Sequence, residues 1–176
     1  MISLVLAIVA ALFFVVEWEH ALLVAAILVL FSGMFDALDG KVARISSKAS
    51  KRGDFVDHVT DRYSDAIIFG AIAVSSLCPV SFGLFAVIGI LLGSYMGTQA
   101  QALGLGREYR GVLGRADRLV VLVAVSFVQY FFMLGNTDWI NDIFGYSLVA
   151  WMMVVFGILG NITALQRATM IWKSLP

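Results

Sequence analysis

Six apolar runs divide the 176-residue sequence, and this repetition constrains the fold more than any other feature. The runs cover residues 2–16, 21–35, 55–77, 81–103, 119–134 and 146–171. Hydrophobic residues make up 61% of the chain and charged residues 14%, a composition that a water-soluble domain of this size could not bury. About 20 apolar residues in a helix cross a hydrocarbon core. We therefore predict an all-α integral membrane protein with six transmembrane helices.

The basic residues indicate how these helices are oriented. All 12 lysines and arginines lie after the second run, after the fourth run or near the C-terminal end of the sixth, which places them on one side of the membrane. Because cytoplasmic loops are enriched in basic residues, we expect both termini and the segment 35–61 in the cytoplasm. The protein is then a multi-pass protein of the cell membrane. The formal net charge is zero, which gives no indication of nucleic-acid binding.

Four aspartates stand out between the second and third runs. Asp36 and Asp39 fall in one arc of a helix that continues the second run toward the cytoplasm. Asp57 and Asp61 are one turn apart at the start of the third run. A short basic loop joins the two helices, so four carboxylates meet near the membrane surface, where they repel one another and are costly to desolvate. We expect a cation between them.

Carboxylate ligands favour Mg²⁺ or Mn²⁺, and four shared carboxylates can hold two such ions. A two-metal site stabilises both the attacking and the leaving oxygens of phosphoryl transfer. The alternative is a solvated loop in which Asp36 or Asp39 forms an ion pair with Arg44 or Lys41 along the helix. An ion path through a small transporter or channel is a remote alternative, because charges in such paths lie near the middle of the membrane.

The spacing decides between these readings, because it resembles at eight fixed positions the signature of the CDP-alcohol phosphatidyltransferase family. The pattern reads Asp36-x2-Asp39-Gly40-x2-Ala43-Arg44-x8-Gly53-x3-Asp57-x3-Asp61. The resemblance implies a six-helix membrane enzyme and a reaction of phospholipid biosynthesis. A CDP-lipid, either CDP-archaeol or CDP-diacylglycerol, gives its phosphatidyl or archaetidyl group to an alcohol and releases CMP. It also implies a homodimer.

The resemblance further implies roles for the residues of the signature. Asp36, Asp39 and Asp57 would be metal ligands, and Asp61 would be both a ligand and the catalytic base. The CDP-lipid would be bound by Asp36, Asp39, Gly40, Ala43, Arg44 and Gly53. Asp54 and Asp65 share a helix face with Asp57 and Asp61 but lie outside the signature, and we expect them to support the site or to cap the helix.

We expect residues 1–176 to form a single domain of this family. Family members begin with a cytoplasmic amphipathic segment ahead of the first transmembrane helix. The present sequence opens inside its first apolar run, so we expect that N-terminal juxtamembrane segment to be missing.

The segment 106–118 carries four arginines on the same membrane face as the aspartates: Arg107, Arg110, Arg115 and Arg118. Membrane topology alone can explain their position. Alternatively, together with Arg167, they form a pocket for an acceptor that carries a phosphate. The pair Arg115-x2-Arg118 and the run 61–65 (DRYSD) resemble the inositol-phosphate branch of the family. Residues 97–99 (GTQ) stand where that branch has basic side chains, so glycerol phosphate stays an alternative acceptor.

Gly89, Gly93 and Gly97 repeat every four residues in the fourth run. Such a stripe lets a second helix approach closely. The partner could be a helix of the same chain or of a second copy, and the sequence does not distinguish these two arrangements.

Overall fold

A computed structural model describes residues 2–45, 50–106, 110–135 and 145–175, and for residues 43–45 it describes the backbone. Within these ranges the chain forms helices joined by short turns. In chain order the helices are α1 (Ile2–Val15), α2 (Ala21–Ile45), α3 (Lys51–Val74), α4 (Val80–Ala102), α5 (Arg115–Leu134) and α6 (Leu148–Ser174).

Four of these helices contain stretches that are long and apolar enough to cross a membrane. The stretches are Ala21–Val42, Val80–Ala102, Arg115–Leu134 and Leu148–Ser174. Helix α1 is apolar but shorter, and α3 carries most of its charged residues in its N-terminal half. The prediction of an all-helical membrane protein is confirmed, with four candidate membrane spans among the described residues.

Helices α2 and α3 bring the signature residues together. Helix α2 continues past the apolar run 21–35 to Ile45, as the sequence predicted. Helix α3 begins after Ser50, whose hydroxyl accepts a hydrogen bond from the Gly53 amide at 3.1 Å. This N-cap satisfies an amide that the first turn leaves without a helical partner, and Asp54 in that turn complements the helix dipole. The two helices bring Asp36 close to Asp57 and Asp61 at one end of the bundle.

The opposite end of the bundle is held by polar contacts between helix ends. Ser147 donates a hydrogen bond to the Leu77 carbonyl at 2.5 Å. The Leu148 amide donates to the Gln129 side chain at 2.7 Å. Between the two ends lies an apolar core in which the rings of Phe69 and Phe156 meet edge to face. The bundle is thus tied together away from the aspartates.

The glycine stripe of α4 packs against α6 of the same chain. A methyl group built on Gly160 would lie 2.8 Å from the carbonyl carbon of Gly89, so the two backbones are in direct contact. A methyl group on Gly93 would lie 3.5 Å from the Gly160 carbonyl oxygen. Of the two arrangements left open by the sequence, the structure shows the one within the chain.

Substituting Gly160 by alanine is expected to lower the thermal unfolding midpoint of the protein in detergent micelles. The new methyl group meets backbone atoms that cannot rotate away, and overpacking of this kind costs about 1–3 kcal/mol. Gly70→Ala is the matched control, because a methyl group there has nothing within 4 Å and alanine favours a helix by about 0.5–1 kcal/mol over glycine. Equal midpoints for the two variants would contradict the close contact of α4 with α6.

Candidate active site

Three carboxylates converge where α2 meets α3. Asp36 comes from α2, and Asp57 and Asp61 come from successive turns of α3. Each offers an oxygen, and the three oxygens lie within 4.8 Å of one another. Mg²⁺ and Mn²⁺ prefer ligands made of oxygen alone, and these three carboxylates are close enough together to hold one such ion. The residues present therefore fit a divalent cation.

The other signature residues are not members of this carboxylate cluster (Asp36, Asp57 and Asp61). Asp39 lies one turn further along α2, exposed and outside the cluster, so its role as a ligand stays a prediction. Gly40 lies on α2 and Gly53 in the first turn of α3. The structure describes the backbone of Ala43 and Arg44 but not their side chains. Their predicted contact with the nucleotide therefore stays a prediction.

Arg115, the first residue of α5, reaches into the cluster. Its Nη1 atom donates to Asp36 Oδ2 at 2.6 Å and lies 2.9 Å from Asp61 Oδ1. Its Nε atom donates to Asp65 Oδ1 at 3.4 Å. Asp36 thus pairs with an arginine of a distant helix, whereas the solvated-loop alternative paired it with a near neighbour on α2. This contact compensates charge that would otherwise repel within the cluster.

A second arginine of α5, Arg118, pairs with the same aspartate as Arg115. Arg118 donates from Nη2 to Asp65 Oδ2 at 2.7 Å, and Asp65 is only 1% exposed. Asp65 therefore holds both guanidinium groups, one on each of its oxygens. Arg62 lies beside Asp61, with Nη2 3.7 Å from Asp61 Oδ2. Arg62 was not predicted to belong to the site, although a basic residue next to Asp61 inside an apolar run was a signal for it.

A cavity of about 900 Å³ connects these groups with the space between α2 and α5. Of the five arginines predicted to bind the acceptor, Arg115, Arg118 and Arg167 line the cavity. Arg110 is exposed, and Arg107 lies outside the described residues. Arg167 donates from Nε to the Arg110 carbonyl at 2.8 Å and from Nη1 to the Gly93 carbonyl at 2.6 Å. It thereby fixes the loop before α5 to α4.

The rest of the cavity is an apolar groove between α2 and α5. Small and aliphatic side chains line it on both sides: Val29, Leu30, Gly33, Met34 and Ala37 from α2, and Leu119, Val120, Val123 and Ala124 from α5. Leu30, Met34 and Val120 are exposed, so the groove is open toward the side of the bundle. An apolar chain can enter it from that side and bring a polar head to the carboxylate cluster.

An enzyme that acts on the phosphate end of a lipid needs oxygen ligands for a cation, guanidinium groups for anions and room for an apolar chain. Here these requirements meet at one end of a helical bundle, so the class of protein is a membrane-bound transferase of lipid phosphate groups. Comparison gives the family. The model of the CDP-alcohol phosphatidyltransferase family matches residues 1–159, and the chain belongs to that family.

Similar proteins include two archaetidylinositol phosphate synthases. The one from Methanothermobacter thermautotrophicus is 31% identical over 159 residues, covering 88% of this chain and 73% of the relative. The one from Pyrococcus horikoshii is 34% identical over 104 residues, covering 59% of this chain and 55% of the relative. A phosphatidylinositol phosphate synthase from Streptomyces avermitilis is 35% identical over 101 residues, covering 52% of this chain and 41% of the relative.

Solved structures of the phosphatidylinositol phosphate synthase from Mycobacterium tuberculosis share the fold. The complex with manganese and citrate superposes with a TM-score of 0.75 at 22% identity and covers 97% of this chain and 80% of that chain. The complex with bound CDP-DAG gives a TM-score of 0.72 at 21% identity, with 97% and 84% covered. The helical architecture of this chain is therefore that of the solved synthase.

Proposed function

We propose that the protein transfers a phosphatidyl or archaetidyl group from a CDP-lipid to inositol phosphate in phospholipid biosynthesis. The observation that carries this proposal is the carboxylate cluster with two guanidinium groups, Arg115 and Arg118, held beside it in one cavity. Relatives that are synthases of inositol phosphate lipids support the choice of acceptor.

In the proposed reaction a hydroxyl oxygen of the acceptor attacks the phosphorus that carries the lipid. The bond from that phosphorus to the bridging oxygen breaks, and CMP leaves with the bridging oxygen. Asp61 takes the proton of the attacking hydroxyl as general base. Asp36, Asp39 and Asp57 would hold Mg²⁺ or Mn²⁺ together with Asp61, and these ions would neutralise charge that develops on the phosphoryl oxygens. A structural neighbour that contains manganese supports the choice of cation.

The donor is proposed to bind with its apolar chain in the groove between α2 and α5 and its CDP group at the carboxylate cluster. The groove opens directly onto Asp36 and Asp57, which supports this orientation. Burial of apolar surface lowers the free energy of binding by about 25 cal/mol per Å², so an alkyl or isoprenoid chain in the groove would contribute to donor affinity. Gly40, Ala43, Arg44 and Gly53 are proposed contacts of the nucleotide.

The acceptor phosphate is proposed to bind Arg115 and Arg118, with Arg167 beside them in the cavity. Arg107 and Arg110 are proposed as further contacts. Guanidinium groups bind phosphate through paired hydrogen bonds. An acceptor without a phosphate cannot form these charge-assisted hydrogen bonds with the guanidinium groups, which disfavours serine and free inositol. Glycerol phosphate is the second candidate, because Gly97 lines the cavity where a basic side chain would favour inositol phosphate.

We further propose that α1 and α3 also cross the bilayer, giving six spans in a single domain with both termini in the cytoplasm. The one-sided distribution of the 12 basic residues supports this topology. Exposed aliphatic side chains on α1, such as Val5 and Leu12, suit contact with lipid. The cell membrane is the proposed location, and a homodimer the proposed assembly.

The function is tested with purified protein, labelled CDP-lipid, Mg²⁺ and a panel of acceptors. We expect labelled lipid product with inositol phosphate and little or none with free inositol or serine, by a factor of about 10² or more. Preferred use of glycerol phosphate would select the second candidate. Efficient transfer to serine or free inositol would contradict the proposal of a phosphate pocket. Cation flux without CMP release would contradict the proposal that the protein is an enzyme.

A further inference from the structure

We infer that Arg115 is shared between the carboxylate cluster and the acceptor phosphate, so that cation binding releases a guanidinium group for the acceptor. The part of this inference that concerns the acceptor rests on the proposed function. The part that concerns the cation rests on the contacts of Arg115 alone.

The first observation is that Arg115 contacts two of the three carboxylates that suit a cation. Its Nη1 atom lies 2.6 Å from Asp36 Oδ2 and 2.9 Å from Asp61 Oδ1, and both carboxylates belong to the cluster. A guanidinium group and a divalent ion on the same two carboxylates would repel each other strongly. The ion therefore binds more tightly when Nη1 leaves at least one of them.

The second observation is that Asp65 holds the other side of the same guanidinium group. The Nε atom of Arg115 donates to Asp65 Oδ1 at 3.4 Å, and the second oxygen of Asp65 binds Arg118 at 2.7 Å. Asp65 is almost completely buried and lies outside the cluster. When Nη1 leaves Asp36 and Asp61, the contact with Asp65 can therefore persist. Asp65 acts as a positioning residue that keeps Arg115 at the wall of the cavity.

Together these contacts couple two binding events. Release of Nη1 from the cluster offers an unpaired donor to an anion in the cavity, beside Arg118. An acceptor phosphate that takes this donor stabilises the released arrangement, which in turn favours the cation. Such coupling is reciprocal, so each ligand must raise the affinity for the other by the same factor.

The cation part is tested by titrating the purified full chain in detergent micelles with Mn²⁺, in the absence of any substrate. Free Mn²⁺ is measured by electron paramagnetic resonance. Arg115→Gln removes the competing charge, and we expect its Mn²⁺ affinity to exceed that of the wild type by about tenfold or more. Arg118→Gln is the matched control: it removes the same charge from a residue that pairs with Asp65 but with no cluster carboxylate in the described contacts. We expect its affinity to stay within about twofold of the wild type.

An unchanged or lower Mn²⁺ affinity of folded Arg115→Gln would overturn the competition. Circular dichroism and size-exclusion chromatography establish that each variant is folded. Arg115→Lys is the second variant, because it keeps the charge but lacks the Nε donor that binds Asp65. It should bind Mn²⁺ much like the wild type and should lose the coupling to the acceptor.

The acceptor part is tested by repeating the Mn²⁺ titration with inositol phosphate present. We expect Mn²⁺ affinity of the wild type to rise, and that of Arg115→Gln and Arg115→Lys to be unaffected. If the wild type turns over inositol phosphate but its Mn²⁺ affinity does not rise, the coupling is overturned. If the wild type does not use inositol phosphate at all, the proposed acceptor has failed, and the Mn²⁺ affinity of Arg115→Gln still decides the competition.

Discussion

Asp57→Ala is expected to lower the rate of CMP release by about 10³-fold or more, because it removes one of the three carboxylates of the cluster. Loss of a proposed ligand weakens the binding of the cation and so reduces the stabilisation of charge on the phosphoryl group. That stabilisation is worth several kcal/mol, and each 1.36 kcal/mol changes the rate by a factor of ten. The Asp57 side chain is exposed, so its removal should leave the stability of the fold nearly unchanged. Steady-state CMP release and Mn²⁺ binding, measured on the same preparation, check both effects.

Asp54→Ala is the matched control for this experiment. Asp54 lies one turn before Asp57 on the same helix, pairs with His58 at 3.5 Å and is outside the cluster. Its removal should change activity by less than about threefold, because its side chain is exposed and lies outside the cluster. Asp36→Ala should resemble Asp57→Ala in activity, although it also frees Arg115 from its shortest contact. Full activity of Asp57→Ala in chelator-treated membranes would rule out the metal-dependent mechanism.

Asp61→Asn should separate binding from chemistry. The amide keeps the shape of the side chain and one oxygen acceptor but cannot take a proton from the acceptor hydroxyl. We therefore expect CDP-lipid affinity within a few-fold of the wild type and a fall in CMP release of about 10²–10⁴-fold, the usual worth of a general base. Equilibrium binding of labelled CDP-lipid and single-turnover CMP release provide the two measurements.

Two outcomes would revise the role of Asp61. Normal CMP release would show that another group is the base. Loss of CDP-lipid and Mn²⁺ binding together, to the extent seen in Asp57→Ala, would mean that Asp61 serves mainly as a ligand. Asp57→Asn is the appropriate comparison, since it makes the same chemical change one turn earlier on α3 at a residue to which no proton transfer is assigned.

Local rules of sequence were enough to predict much of the fold and part of the site. The apolar runs located the helices, and the arc shared by Asp36 and Gly40 predicted that α2 continues beyond its apolar part. The interval of four between Asp57 and Asp61 predicted two carboxylates on one face of α3. These predictions succeeded because they depend on helical geometry over one or two turns.

Contacts between distant helices could not be predicted in the same way. Arg115 was proposed as an acceptor ligand, but nothing in its local sequence indicated that it touches Asp36, which lies 79 residues away along the chain. The burial of Asp65 likewise depends on side-chain contacts between α3 and α5, which bring two arginines to its carboxylate. The hydrogen bonds of Arg167 to two backbone carbonyls depend on the path of a loop, which no helical period specifies.

If the donor lipid binds in the groove between α2 and α5 as proposed, the opening of that groove toward the side of the bundle determines which concentration the enzyme responds to. Leu30, Met34 and Val120 form an exposed rim of this groove, so the donor would reach it by lateral diffusion within its own leaflet. The relevant quantity is then the mole fraction of donor in the membrane, and its amount per volume of buffer has no direct influence. Inert lipid added at constant total donor slows the enzyme by surface dilution. The acceptor arrives from the aqueous phase, so the two substrates follow different concentration scales.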